Sequence, residues 1–226
     1  MRTAVLGTGM VGQALAGRLA GLGHEVTVGT RDVAQTMART EPDAMGNPPY
    51  PVWAQKQPEV TLATYRDAAA DAELLVNATL GTASLAALGE AGPENLAGKV
   101  LVDISNPLDF SQGMPPTLFV KDTDSLGEQI QRAFPDAKVV KTLNTLNADL
   151  MVEPRTLADG AHTVFVSGND AGAKQTVTEL LGSMGHTDVM DLGDITTARG
   201  TEMLLPVWLR LMFALGTAKF NFKIVR

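Results

Sequence analysis

The chain has 226 residues, 45% of them hydrophobic and 19% charged, which is material for a large core with no bias toward collagen, coiled coil or disorder. Its formal charge of −7 disfavours broad attraction to nucleic acid or an anionic membrane, so an anionic ligand has to be held by local groups. With no cysteine in the sequence, disulfides, thiol catalysis and iron–sulfur ligation are excluded, and the scattered His24, His162 and His186 are poor material for a metal site.

Residues 3–6 are a short apolar run entering glycines, after which Val11, Leu15, Leu19 and Leu22 recur every three or four positions. That pattern predicts strand, tight turn and helix. The helix closes at Gly21 and Gly23, a second strand covers 25–28, and Asp32 caps a helix running to about Arg39. Residues 41–58 contain Pro48, Pro49, Pro51 and Trp53 and are expected to form a surface loop that could shape a pocket. Helices are then predicted at 65–70 and from Ser84, with strands at 74–79 and 99–104. After a loop over 105–122, a helix at 126–134 leads to a strand at 138–143. This alternation predicts an α/β fold, a Rossmann-type doubly wound, mostly parallel sheet over 1–146. A small α-rich C-terminal extension, 147–226, is expected to serve substrate binding and dimerisation, with strands at 162–166 and 187–190 flanking a helix at 171–184. The stretch 203–216 is the most apolar, yet Pro206, Arg210 and a length below the roughly 20 residues of a bilayer span make it a buried or interface helix. The opening residues lack the long apolar region of a signal peptide, and a cytoplasmic location is expected.

Gly7, Thr8, Gly9, Met10, Val11 and Gly12 form a G-x-G-x-x-G sequence directly after the first strand and at the start of the first helix. In that context Gly7 permits the tight turn, Gly9 lets a pyrophosphate approach the backbone, and Gly12 lets helix and strand pack closely. The free N–H groups and the helix dipole then face negative charge. Where NAD-binding domains place a carboxylate at the end of the second strand, this chain has Thr30 and Arg31. A hydroxyl and a guanidinium suit a 2′-phosphate, so NADP is favoured over NAD. Asp32 has two further readings, an ion pair with Arg31 or the cap of the next helix. Ligands in such sheets lie over the carboxyl ends of the strands. Asn77, Ala78, Thr79 and Leu80, then Asn106, then Lys141 to Thr145 with Asn144 and Thr145 at its end, are the segments expected there.

The glycine motif, the strand ending Gly29-Thr30-Arg31, the Lys141-Thr142-Leu143-Asn144-Thr145 segment and the run Thr197-Ala198-Arg199-Gly200-Thr201-Glu202-Met203-Leu204-Leu205-Pro206 together resemble the coenzyme F420-dependent NADP oxidoreductase family over nearly the whole chain. The resemblance implies a Rossmann domain with a small C-terminal part, a homodimer, and hydride transfer between NADP(H) and a deazaflavin. It also implies that Thr8 and Met10 to Gly12 hold the pyrophosphate, Thr30 and Arg31 the 2′-phosphate, and Ala78 to Leu80 the nicotinamide side. Asn144 and Thr145 would lie near the deazaflavin, with the segment before Glu202 closing its pocket. In two places the chain departs from its relatives. Asp32 and Gln35 stand where relatives carry further basic residues, and Asn144 stands where an archaeal-type enzyme has histidine.

Hydride transfer needs positioning rather than a nucleophile, so no catalytic residue and no metal ligand is assigned. The histidines are expected as surface or capping residues, and the helical spacing of Trp208, Met212 and Phe213 predicts core or dimer packing. An NADPH-dependent reductase of free flavin or of a small carbonyl or imine compound shares the first half of this reading, as does a non-catalytic NADPH-binding sensor.

Overall fold

The computed structural model describes residues 1–42 and 46–226. Residues 43–45, part of the expected 41–58 loop, lie outside the described residues. In chain order the elements begin β1 (Arg2–Leu6), α1 (Met10–Gly21), β2 (Glu25–Thr30), α2 (Val33–Met37), α3 (Tyr50–Ala54), β3 (Thr61–Thr64), α4 (Tyr65–Ala70), β4 (Leu74–Asn77), α5 (Gly81–Ala91), α6 (Pro93–Leu96) and β5 (Val100–Asp103). They continue with β6 (Leu108–Asp109), β7 (Thr117–Leu118), α7 (Leu126–Ala133), β8 (Lys138–Thr142), α8 (Ala148–Val152), β9 (Thr163–Gly168), α9 (Ala171–Met184), β10 (Asp188–Gly193), α10 (Ala198–Met203) and α11 (Leu205–Leu215).

Among the described residues, eight strands form one sheet in the order β10-β9-β8-β5-β4-β1-β2-β3. Every pairing is parallel except β8 with β9. This is the expected α/β Rossmann-type architecture, and the strands after residue 147 join the same sheet. Because successive strand residues face opposite sides, Val5 enters one apolar layer with Leu15, Leu19 and Val177, while Ala4 and Leu6 enter the other with Leu88 and Ile130. From β1 the chain first adds β2 and β3 on one side and then crosses back to add β4 and β5 on the other. That reversal opens a crevice at the carboxyl ends of the strands, where ligands of such sheets bind.

Local signals account for the best-defined helices. Asp170 accepts a hydrogen bond from the Ala173 N–H at 2.7 Å and Gly185 ends α9 with φ 109°, a side-chain N-cap and a left-handed stop. Ser125 accepts from the Glu128 N–H and donates to the Glu128 carboxylate, a side-chain N-cap at α7.

Three expectations change. The 41–58 segment is not loop throughout: its described part includes α3, whose Tyr50 is 2% exposed and packs its ring against Trp53. Pro49 and Pro51 favour the first helical turn rather than opposing it. His162 and His186 are not surface residues but are 3% and 4% exposed, with their rings edge to face at 6.1 Å. A carbonyl oxygen only accepts, so each Nε2 donates, His162 to Pro154 and His186 to Met151. Desolvation pushes the His186 pKa down to about 4. Lastly, of the two readings of the apolar stretch at 203–216, a buried or an interface helix, the buried one does not hold. Only Leu205 and Leu209 of α11 are buried, while Val207, Phe213 and Leu215 stand at the surface.

Candidate functional site

The glycine turn has the geometry that its residues require. Gly7 has φ +124°, and a Cβ there would lie 2.5 Å from the Ala78 carbonyl oxygen. A Cβ on Gly12 would run into the Gly7 carbonyl, whereas one on Gly9 would meet nothing within 4 Å. Gly7 and Gly12 are thus glycine for packing, and Gly9 leaves open space in front of the backbone. Helix α1 starts at Met10 with no side-chain cap, so the first N–H groups, including those of Val11 and Gly12, are left for an anion. Helix α5, which starts at the end of β4 behind Leu80, is likewise uncapped, while α7 and α9 are capped by side chains. The Gln13 side-chain amide donates to the Thr8 carbonyl at 2.9 Å and steadies the turn.

At the end of β2, Thr30 is 4% exposed and its hydroxyl lies 2.8 Å from that of Thr36. Its oxygen is therefore engaged inside the protein. Asp32 caps α2, accepting from the Gln35 N–H at 2.8 Å; its carboxylate is turned into the helix. Arg31 is largely exposed and lies 3.5 Å from Glu90. Sequence reasoning missed Arg39, whose guanidinium donates to the Thr8 hydroxyl at 3.1 Å and so returns a second cation to the glycine turn. The only sequence signal for it is a basic residue just beyond a short helix. Tyr65 lies within the field of Arg31, Glu90 and Arg39, although its pKa is raised chiefly by burial.

Across the ends of the central strands runs a row of polar side chains in register: Asn77 opposite Asp103, and Asp103 opposite Lys141. All three are fully buried or nearly so. Lys141 Nζ donates to Asp103 Oδ2 at 2.8 Å and the Ser105 carbonyl at 2.6 Å, and lies 2.8 Å from Glu202 Oε1. Its three donors are then used, so Lys141, expected to reach the crevice, is instead sealed beneath it. Burial works against its charge, but the Asp103 and Glu202 carboxylates outweigh burial and hold its pKa above the usual lysine value. Glu202 also accepts from the Leu126 and Gly127 N–H groups at 2.8 and 3.0 Å, which ties α10 to the start of α7. Arg199 adds a second tie through Glu128. Asn77 donates to Asp103 at 2.9 Å and accepts from the Thr79 hydroxyl at 2.6 Å, so it acts as the support of Thr79.

Above this row lies a ledge. Ala78 and Thr79 abut Gly7, a Cβ on Gly81 would meet the Asn106 carbonyl, and Asn106 and Asn144 exchange hydrogen bonds. Leu80 is 75% exposed at its edge, while Asn144 and Thr145 are 4% and 3% exposed. The structure thus brings Gly7 to Gly12, Ala78 to Leu80, Asn106, Asn144 and Thr145 along one crevice, with Arg31 and Arg39 at one end. Thr30 and Asn77 stand behind it.

A parallel sheet reversing at β1, with a glycine turn and an uncapped helix at that reversal, defines a Rossmann-type protein built around a dinucleotide site. Residues 2–107 match the family described as NADP oxidoreductase, coenzyme F420-dependent. A crystal structure from Arthrobacter sp. FB24, provisionally assigned as an F420-dependent NADP-reductase, is 66% identical and covers 100% of both chains with a TM-score of 0.96. The F420-dependent NADP reductase of Methanothermobacter marburgensis is 27% identical over 93% of this chain and 92% of its own length. Metalloreductase STEAP3 of Rattus norvegicus is 31% identical over 95% of this chain, which spans only 39% of that protein's length. The chain belongs to the coenzyme F420-dependent NADP oxidoreductase family, and by that membership it is an NADP-dependent oxidoreductase. Among the described residues no helix is long and apolar enough to cross a membrane.

Proposed function

We propose that the crevice binds NADP(H) and a deazaflavin coenzyme of the F420 class side by side and serves hydride transfer between them. One observation carries the reading: the ledge from Gly7 through Ala78 and Asn106 to Asn144 is continuous, and the titratable side chains beneath it, Asp103, Lys141 and Glu202, are buried and paired with one another. Such a surface positions rings and offers them no acid. When bound, the nicotinamide and the deazaflavin supply the two carbons between which the hydride passes.

The chain's own residues divide the work. The Thr8 to Gly12 backbone and the α1 dipole hold the pyrophosphate. Arg31, joined by Arg39 beside Thr8, takes the 2′-phosphate, with Thr30 supporting the end of β2. Ala78, Thr79 and Leu80 flank the nicotinamide, and Asn106, Asn144 and Thr145 the acceptor ring. The exposed apolar side chains of α11, Val207, Phe213 and Leu215, pack against a second copy in a homodimer. Reduction of a carbonyl or imine would call for a proton donor at the substrate, whereas a deazaflavin ring delocalises the charge that the hydride brings and can take the accompanying proton at its ring nitrogen from solvent; the buried, paired cluster supports the carbonyl or imine reading less well. Steady-state turnover with NADPH tests the choice among acceptors. The proposal expects a deazaflavin to give the largest kcat/KM, and a larger value for FMN or for a cyclic imine would reject it.

A further inference from the structure

The Asn106–Asn144 pair is an amide pair whose orientation is set by two backbone carbonyls. Asn106 Nδ2 donates to the Asn144 carbonyl at 2.9 Å, which turns Asn106 Oδ1 toward Asn144. Asn144 Nδ2 donates to that Oδ1 at 3.1 Å and to the Thr201 carbonyl, also at 3.1 Å. A carbonyl cannot donate, so neither amide can flip without setting acceptor against acceptor. Both Nδ2 hydrogens of Asn144 are then spent. Its Oδ1 accepts from no described group, yet is not sealed from solvent.

Two further features hold this orientation. Leu143, just before Asn144, has φ +58°, a left-handed conformation that costs a bulky residue about 1–3 kcal/mol and persists only where the surroundings impose it. Thr201 is followed by Glu202, which Lys141 and two N–H groups of α7 clamp in place.

We infer that Asn144 presents a fixed hydrogen-bond acceptor at the crevice and selects an acceptor ring that offers an N–H, such as the imide edge of a deazaflavin or flavin. A substrate carbonyl oxygen, itself an acceptor, would find no donor on Asn144. Glu202 and Lys141 are positioning residues for this group. The inference rests on the reading of the crevice as a two-ring site and names the edge by which the second ring is held.

The test uses the intact protein and two ring probes, an 8-hydroxy-5-deazaflavin and its N3-methyl derivative, titrated by fluorescence in the presence of NADP. The inference predicts binding of the first and at least about tenfold weaker binding of the second, the loss expected when a buried acceptor goes unpaired. It also predicts that Asn144→Leu binds both probes equally weakly while its affinity for NADPH stays unchanged. Equal binding of the two probes by the native protein would overturn the inference and leave the two-ring reading standing. So would a loss confined to NADPH in Asn144→Leu, which would assign the N–H to the nicotinamide carboxamide. If neither probe binds while NADPH does, the two-ring reading falls and takes the inference with it.

Discussion

Lys141→Met removes the single cation from a buried group of two carboxylates. Asp103 keeps its bonds from Asn77 and Ser105, and Glu202 keeps two N–H donors of α7, so neither becomes fully orphaned. Breaking a buried ion pair from one side costs about 3–5 kcal/mol, which for a chain of this size corresponds to roughly 6–20 °C in Tm. Glu202→Gln leaves the Lys141–Asp103 pair balanced and should cost about 1–3 kcal/mol. The pH dependence gives a second readout. In the native protein the raised Lys141 pKa adds stability that is complete below the ordinary value of 10.5 and is lost as pH rises through the higher folded value. Lys141→Met lacks this group, so its stability should not show that loss at high pH. Urea melts of the three proteins across pH check this. A Lys141→Met protein as stable as Glu202→Gln, or one that keeps the native loss of stability at high pH, would refute the account of the cluster.

Arg31→Ala and Arg39→Ala should each raise the NADPH KM by about tenfold or more, as expected for loss of a charge-assisted bond to phosphate, with little effect on NADH; steady-state kinetics with both nucleotides decide it. His186 charges in the unfolded chain near its ordinary 6.5 but only at about 4 when folded. The native protein should therefore lose up to roughly 3 kcal/mol as pH falls through that window, and His186→Phe should flatten the curve in urea melts. Phe213→Lys should turn a homodimer into monomer by light scattering with its fold intact by circular dichroism; a native monomer would remove α11 as an interface.

The first βαβ unit is legible because every signal in it is local: an apolar run, glycines at fixed offsets and a helical repeat. Helices α7 and α9 fall where 126–134 and 171–184 are expected, and their caps, Ser125 and Asp170, act within three residues of themselves. What escapes depends on distant parts of the chain. β3 is only four residues long, carries no continuous apolar run, and becomes a strand by pairing with β2 at the sheet edge. A lysine ordinarily reads as a surface residue, and Lys141 is buried only because Asp103, 38 residues away, and Glu202 meet it. His162 and His186 are enclosed by backbone around Met151 and Pro154, which no periodicity announces. In the candidate site, the glycine turn and the strand ends are readable from topology. The engagement of Thr30 by Thr36, the return of Arg39 to Thr8 and the locked amide pair arise from side-chain packing.

The central claim is hydride transfer between NADP(H) and a deazaflavin in one crevice. Anaerobic stopped-flow mixing of the protein with NADPH and coenzyme F420 tests it most directly. The account predicts loss of NADPH absorbance and of oxidised deazaflavin absorbance in step, within a single turnover. NADPH that binds but leaves the deazaflavin oxidised would contradict it.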